Sequence, residues 1–274
     1  MTDLLAMLPF ILALAATGVL AGLLAGLLGV GGGIVIVPVL YFMLQTLGVS
    51  AGSAIALATG TSLMTIIPTS LSAIRSQQRR GNINWDLIKR WLPTMVIGVL
   101  CGAWLVTQIH GNQLSLVFGS IAILVAINML FWGNAEPPFS QLPSLMIQRV
   151  LSFFVGGFSV MAGIGGGTLG VPLLTSCSMK THQAVGNASV FGLIIAVPGA
   201  LTLLLAGQTP ADAPAATFGL VNLIAVIALV PLTVIFAPIG VALGQKTNAA
   251  LLKKIFAVFL ILTSVRMLSQ FFGV

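Results

Sequence analysis

One run in this sequence could bind an anion without any charged side chain, and it occurs twice. Gly29-Val30-Gly31-Gly32-Gly33-Ile34-Val35-Ile36-Val37-Pro38 is followed 134 residues later by Gly163-Ile164-Gly165-Gly166-Gly167-Thr168-Leu169-Gly170-Val171-Pro172. Inside a helix glycine costs ~1 kcal/mol and proline ~3 kcal/mol. Each run therefore ends one helix and starts another. A helix that restarts at Gly31–Gly33 or Gly165–Gly167 presents unpaired N–H groups and the positive end of its dipole. Such an end binds anions, and glycine lets a ligand approach the backbone closely. Helix packing through small residues also uses glycine, but it does not call for four glycines and a proline in both places. The candidate backbone ligands are Gly29, Gly31, Gly32, Gly33, Gly163, Gly165, Gly166 and Gly167.

Polar side chains on the following segments could complete such a site. Thr59, Thr61 and Ser62 after the first break, and Asn187 and Ser189 after the second, can donate hydrogen bonds to oxyanions. Their competing use is a bond to a carbonyl of their own helix. Arg266 is a cation inside an apolar run and a functional candidate on that ground, although it lies where its side chain can snorkel outward. The acids Asp3, Asp86, Glu136 and Asp212 all fall in tails or loops, which argues against a carboxylate proton relay or sodium site at depth. His110 and His182 read as interfacial. Cys101 and Cys177 lie in or beside apolar runs without metal-like spacing and read as small buried hydrophobes. No catalytic residue, metal or cofactor is expected. Intramembrane proteolysis would need Ser/His, paired Asp or a metal motif at depth, and the sequence offers none, so the reading is not an enzyme.

The elements that hold these residues are set by composition. Of 274 residues, 58% are hydrophobic and 5% charged, against ~25% charged in soluble domains. Many apolar runs approach the ~20 residues that cross a bilayer, and they are continuous rather than alternating as in a barrel. The class is an all-α polytopic membrane protein. The net charge of +7 sits in short loops between apolar runs, where it orients a membrane protein, so nucleic acid is not an expected partner. The first residues lack the basic stretch of a cleaved signal peptide and read as part of the first helix.

The spacing predicts helices at about 5–28, 34–47, 53–74, 91–109, 114–132, 146–162, 168–178, 183–206, 216–244 and 255–272. The segment around 133–145, with Asn134, Glu136, Pro137 and Pro138, reads as a linker between a first repeat at 1–132 and a second at 146–274. Ala58-Thr59-Gly60-Thr61-Ser62 aligns with Ala184-Val185-Gly186-Asn187-Ala188, Pro93 with Pro231, and Gly102 with Gly240. Such repeats suit secondary transporters. The basic loops point to inversion. Arg75, Arg79, Arg80, Lys89 and Arg90 place loop 75–90 in the cytoplasm, while its counterpart at 207–214 has no Lys or Arg. The reverse holds for 110–113 and the counterpart carrying Lys246, Lys253 and Lys254. If each glycine-broken segment enters and leaves on one side, every loop cation is cytoplasmic and both termini lie outside. Each half is then a glycine-broken hairpin plus three transmembrane helices, with the hairpin tips near mid-membrane.

The duplicated Gly-x-Gly-Gly-Gly-x(4)-Pro run, Gly60-Thr61-Ser62, and the loop ending Arg80-Gly81-Asn82-Ile83-Asn84-Trp85 together resemble the sulfite exporter TauE/SafE family, also called the toluene sulfonate uptake permease family. The resemblance covers essentially the whole chain. It implies an inner-membrane carrier for sulfite, sulfoacetate or related organosulfonates, usually with seven or eight helices, a count the inverted reading does not simply reproduce. The second copy departs from the first, with Asn187-Ala188 where Thr61-Ser62 stand. The expected partners are a small anionic substrate and membrane lipid, and a homo-oligomer is compatible with the sequence. The expected activity is secondary transport of a small oxyanion, exported by alternating access. The alternatives are an anion channel on the same hairpins and a non-transporting membrane subunit.

Overall fold

A computed structural model describes residues 2–29, 31–109, 111–132, 139–246 and 250–272, with the backbone alone described at 2–11, 112, 131–132, 245–246, 250–256 and 271–272. The predicted His110, Asn134, Glu136, Pro137 and Pro138, and the side chains of Lys246, Lys253 and Lys254, lie outside the described residues. Among the described residues, the regular structure is helical apart from one small hairpin. The helices are α1 (Thr2–Leu28), α2 (Gly33–Thr46), α3 (Ala51–Gln78), α4 (Trp85–Gln108), α5 (Gly111–Ile127), α6 (Leu145–Met161), α7 (Gly167–Ser176), α8 (Thr181–Leu205), α9 (Leu223–Lys246) and α10 (Ala250–Phe272). A π-helical turn, Asn128–Trp132, ends α5. Among the described residues, five segments are long and apolar enough to cross a membrane: Ala51–Gln78, Trp85–Gln108, Gln113–Leu130, Thr181–Leu205 and Leu223–Gly244. Large apolar side chains such as Trp104, Leu124, Ile227 and Leu262 stand on the outside. That is costly in water but suits contact with lipid tails.

Two expectations change in detail. The basic loop is shorter than 75–90, because α3 continues to Gln78 and α4 starts at Trp85. Arg75 therefore lies in the last turn of α3, and Lys89 and Arg90 lie on α4. Asn84 accounts for the early start: its side chain caps α4 by accepting from the N–H of Asp86 and Leu87, both at 3.1 Å. The apolar run at 216–244 is also not one helix. Thr217–Phe218 pairs antiparallel with Val221–Asn222 before α9 begins. Ala216 and Gly219 take φ of 59° and 54° there, and Asn222 caps the helix by accepting from Ala225 N–H at 3.0 Å. As expected, the arm before the first glycine break is longer than the one after it. Gly29 packs against Val185, near the start of α8, whereas α2 begins against Ser62 and Ile66 in the middle of α3. A Cβ on Gly32 would stand 2.8 Å from Ala21 O, so the chain after the first break lies back against α1.

Glycines set the closest helix contacts. Gly18 faces Leu232, Gly22 faces Thr233, and Gly26 faces Ala237 and Val241, so α1 and α9 run side by side in the same direction. Gly98 faces Phe153 and Gly102 faces Gly157, so α4 and α6 do likewise. α3 packs on α8 at the centre, and α5 packs on α10. The loop after α3, the residues before α6, the start of α8 and the end of α9 share one end of the bundle. There Asn82 O meets Gly186, Trp91 Nε1 donates to Gln148 Oε1 at 3.2 Å, and Gln77, Thr181 and Gly244 border one cavity. Arg75, Arg79, Arg80 and Lys180 belong to this basic end. At the opposite end the Asp212 carboxylate accepts from Ser50 N–H at 2.8 Å. That N–H and the Ser50 and Ser53 hydroxyls hold the Asp212 carboxyl below its usual range.

Candidate anion site

The two glycine breaks meet. A Cβ on Gly31 would lie 3.2 Å from Gly165 Cα, and one on Gly33 would lie 2.5 Å from Gly163 O. Both tips are buried. The second is fixed from two sides. Ser62 donates to Gly163 O at 2.7 Å, and Phe191, stacked on Trp91 at 5.1 Å, presses its Cβ toward Gly166. No hydrogen-bond partner is found among the described residues for the backbone N–H groups of Gly165, Gly166 and Gly167. Buried N–H groups without partners are rare in proteins, so these three are available to a ligand.

The predicted side chains divide by what they touch. Thr61 Oγ1 accepts from Asn222 N–H at 3.0 Å. At the aligned position Asn187 Oδ1 accepts from Asn84 N–H at 2.9 Å, while its amide donates to Gln183 O at 2.8 Å. These two residues hold the turns that start α9 and α4. Ser189 donates to Val185 O on its own helix at 3.0 Å, the competing use named above. Arg266 is exposed on α10, its guanidinium 4.8 Å from the Phe42 ring centre. Phe42 is nine residues along α2 from Gly33, ~13 Å by helical rise, so the structure does not bring Arg266 to the tips. Thr59 is different: it is fully buried against Gly163, and its hydroxyl has no partner.

Sequence reasoning missed four further hydroxyls in the same condition, Ser264 on α10 and three nearer the second tip. Ser70, Ser159 and Thr168 are buried with no hydrogen-bond partner. Thr168 follows Gly167 directly, and Ser159 O accepts from Ile164 N–H at 2.9 Å. Ser70 Oγ lies 2.8 Å from where a Cβ on Gly192 would be, and Gly192 N lies 3.1 Å from where one on Gly166 would be. The sequence did hold a signal for them. Under the repeat alignment, Thr59, Ser70, Ser159 and Thr168 face Val185, Ala196, Ala25 and Ile34. Thr59 lies against Gly163, and Ser70 lies against Gly192, which in turn faces Gly166, while the aligned partner of every one of these hydroxyls is apolar.

A cavity of about 430 Å³ lies at the basic end, bordered by Gly26, Gln77, Asn82, Thr181, His182, Val185 and neighbouring residues of α1 and α9. It is not lined by the glycine tips. Val185, however, is also the residue against Gly29, so the cavity floor abuts the first break.

The sequence profile described as "Sulfite exporter TauE/SafE" matches residues 14–267. A Haemophilus influenzae protein named "Probable membrane transporter protein" is 29% identical over 95% of this chain and 99% of its own length. YunE of Bacillus subtilis, named likewise, is 24% identical over 92% of this chain and 95% of its own. A Methanocaldococcus jannaschii protein, also so named, is 26% identical over 84% of this chain. No solved structure matches. From residue 14 to 267, this chain belongs to the sulfite exporter TauE/SafE family of membrane transporters.

Proposed function

We propose that this multi-pass membrane transporter is a secondary carrier that exports small sulfur-containing anions, sulfite, sulfoacetate or other organosulfonates, across the inner membrane by alternating access. The observation that carries this reading is the second glycine tip, with its unpartnered N–H groups beside unpartnered buried hydroxyls. Donors without acceptors suit an oxyanion, and hydrogen bonds to an ion are stronger than neutral ones. Thr59 and Ser70 are eleven residues apart on α3, ~16 Å by helical rise. One small anion does not reach both, so they mark two stations on a path, with Ile66 between them against Gly31, Gly33 and Gly192. Gly29, Gly31, Gly32 and Gly33 line that path from the other side. Thr61, Ser62, Asn187 and Ser189 shape it, and Arg266 stands apart.

Two inverted repeats, 1–132 and 146–274 joined by 133–145, fit the packing. α1 lies along α9 as α6 lies along α4. Thr61 holds the turn before α9 as Asn187 holds the turn before α4. Gly29 sits on Val185 as Gly163 sits on Thr59. Each glycine-broken pair is then a re-entrant hairpin, and the basic end, with loop 75–90, is cytoplasmic. Reporter fusions at residue 274 should therefore report an external C-terminus. A cytoplasmic readout removes the inverted reading.

A monovalent anion leaving the cell gains ~2.3 kcal/mol per 100 mV of inside-negative potential, so export runs without a coupled ion. The test is efflux of labelled sulfite from proteoliposomes. Efflux should saturate with sulfite, accelerate with an inside-negative potential and persist without sodium or proton gradients. A strict gradient requirement overturns uncoupled export, and flux that rises without saturation favours a channel.

A further inference from the structure

We infer that the cavity at the basic end is a second anion site, a docking vestibule in which a small free oxyanion is held before it reaches the glycine tips. This rests on the carrier reading only for the word "before"; the site itself stands on its own donors. α8 starts there with Lys180 as its N-cap, a residue whose side chain cannot cap, and none does. Gln183 and Ala184 donate to Lys180 O at 2.9 Å, but the N–H groups of Thr181 and His182, both of which border the cavity, have no partner among the described residues. The positive end of a 25-residue helix therefore faces the space.

The independent observation is Gln77. Its side chain is 97% buried, as its 3% exposure shows, yet it borders the cavity. Asn82 Nδ2 donates to Gln77 Oε1 at 2.7 Å, which fixes the amide with Nε2 as its remaining group. No partner for Nε2 is found among the described residues and it is not among the fully enclosed unpartnered atoms; Gln77 borders the cavity, so the cavity is the open space next to that donor. A buried amide nitrogen held in one orientation by a neighbour is a preset donor. Thr181 adds a hydroxyl and His182 an imidazole. None of the described bordering residues is acidic. The volume lies within the ~300–1,000 Å³ of small-molecule sites. A bare sulfur oxyanion or a compact organosulfonate fits the donors and the space.

The test is thermal stabilisation of the purified full-length protein by sulfite and by sulfate, against chloride at equal ionic strength, in wild type, Gln77→Met and Gln77→Glu. Gln77→Met removes the donor with little change of volume. Gln77→Glu keeps the acceptor for Asn82 and replaces the donor by a negative charge. We expect the concentration for half-maximal stabilisation to rise by about tenfold in Gln77→Met, the loss of one hydrogen bond to an ion, and further in Gln77→Glu. Melting temperatures without anion serve as the folding control, and because the two variants perturb packing differently, one folded variant suffices. Half-maximal concentrations within about twofold of wild type in either folded variant overturn the vestibule. Stabilisation by phosphatidylglycerol but by neither free anion also overturns it, since the site would then serve lipid phosphate. If no oxyanion stabilises even wild type, the carrier reading falls as well. Stabilisation indifferent to Gln77 removes the vestibule alone.

Discussion

Replacing Ser70 by alanine and Thr168 by valine together should cut sulfite transport by about a hundredfold while leaving the melting temperature unchanged or higher. The two halves of this expectation come from the same fact. A buried hydroxyl without a partner costs the folded protein ~1–3 kcal/mol. Substituting an apolar group of similar size removes that cost, so stability holds or rises. Both hydroxyls are fully enclosed and unpartnered, and both adjoin the second tip. If they complete an anion's hydrogen bonds, each loss removes ~1.5–3 kcal/mol of binding to a charged group, about a hundredfold for the pair once non-additivity is allowed for. Thr59→Val, at the other end of the α3 stripe, should cost about tenfold by the same reasoning. Ser264 provides the control, because it is equally buried and unpartnered but lies on α10. Ser264→Ala should raise stability and spare transport. Unchanged transport in the Ser70/Thr168 variant would mean that no anion uses these groups.

Much of this architecture was legible from spacing. The glycine breaks, the short arms after them and the helix that follows each arm all lie within a few residues of their expected places, because continuous apolar runs and helix breakers carry that information locally. The site was less legible, because which hydroxyl is satisfied depends on what another segment brings to it. Thr61 looks like an exposed donor until the turn at Val221–Asn222 supplies a backbone N–H from 161 residues away. Asn187 and Asn84 are the same case. That turn lay hidden in an apolar run. Its cues were Gly219 and Asn222, single residues in otherwise helix-like sequence, the second placed before α9 as Asn84 is before α4. Ser70 carried no local mark at all. It becomes informative only when the two glycine-bearing stretches of sequence are aligned, where Ser70 carries a hydroxyl and its counterpart Ala196 only a methyl.

Gly163→Ala should abolish most transport and lower stability by about 3 kcal/mol, whereas Gly48→Ala should lower stability by about 1 kcal/mol and spare transport. Both glycines have positive φ, 64° and 88°, so alanine at either pays the left-handed penalty of ~1–2 kcal/mol. They differ in what the new methyl meets. At Gly48 nothing lies within 4 Å; at Gly163 the Cβ would stand 2.7 Å from Thr59 Cα. That neighbour is backbone, which cannot swing aside, so the second tip has to move away from α3. Moving it breaks the Ser62 bond to Gly163 O and shifts Thr168 and the free N–H groups from their places. Gly29→Ala should behave like Gly163→Ala, since its Cβ would stand 2.8 Å from Val185 O at φ 70°. Valine at Gly32 or Gly166 is a blunter probe, because even a Cβ there would meet Ala21 O at 2.8 Å or Phe191 Cβ at 2.3 Å, and misfolding would mask any effect on binding. The comparison with Gly48 separates backbone strain from loss of close seating. If Gly163→Ala transports as well as Gly48→Ala, the tips need not be held against the neighbouring helices for transport. The glycines would then serve helix packing alone.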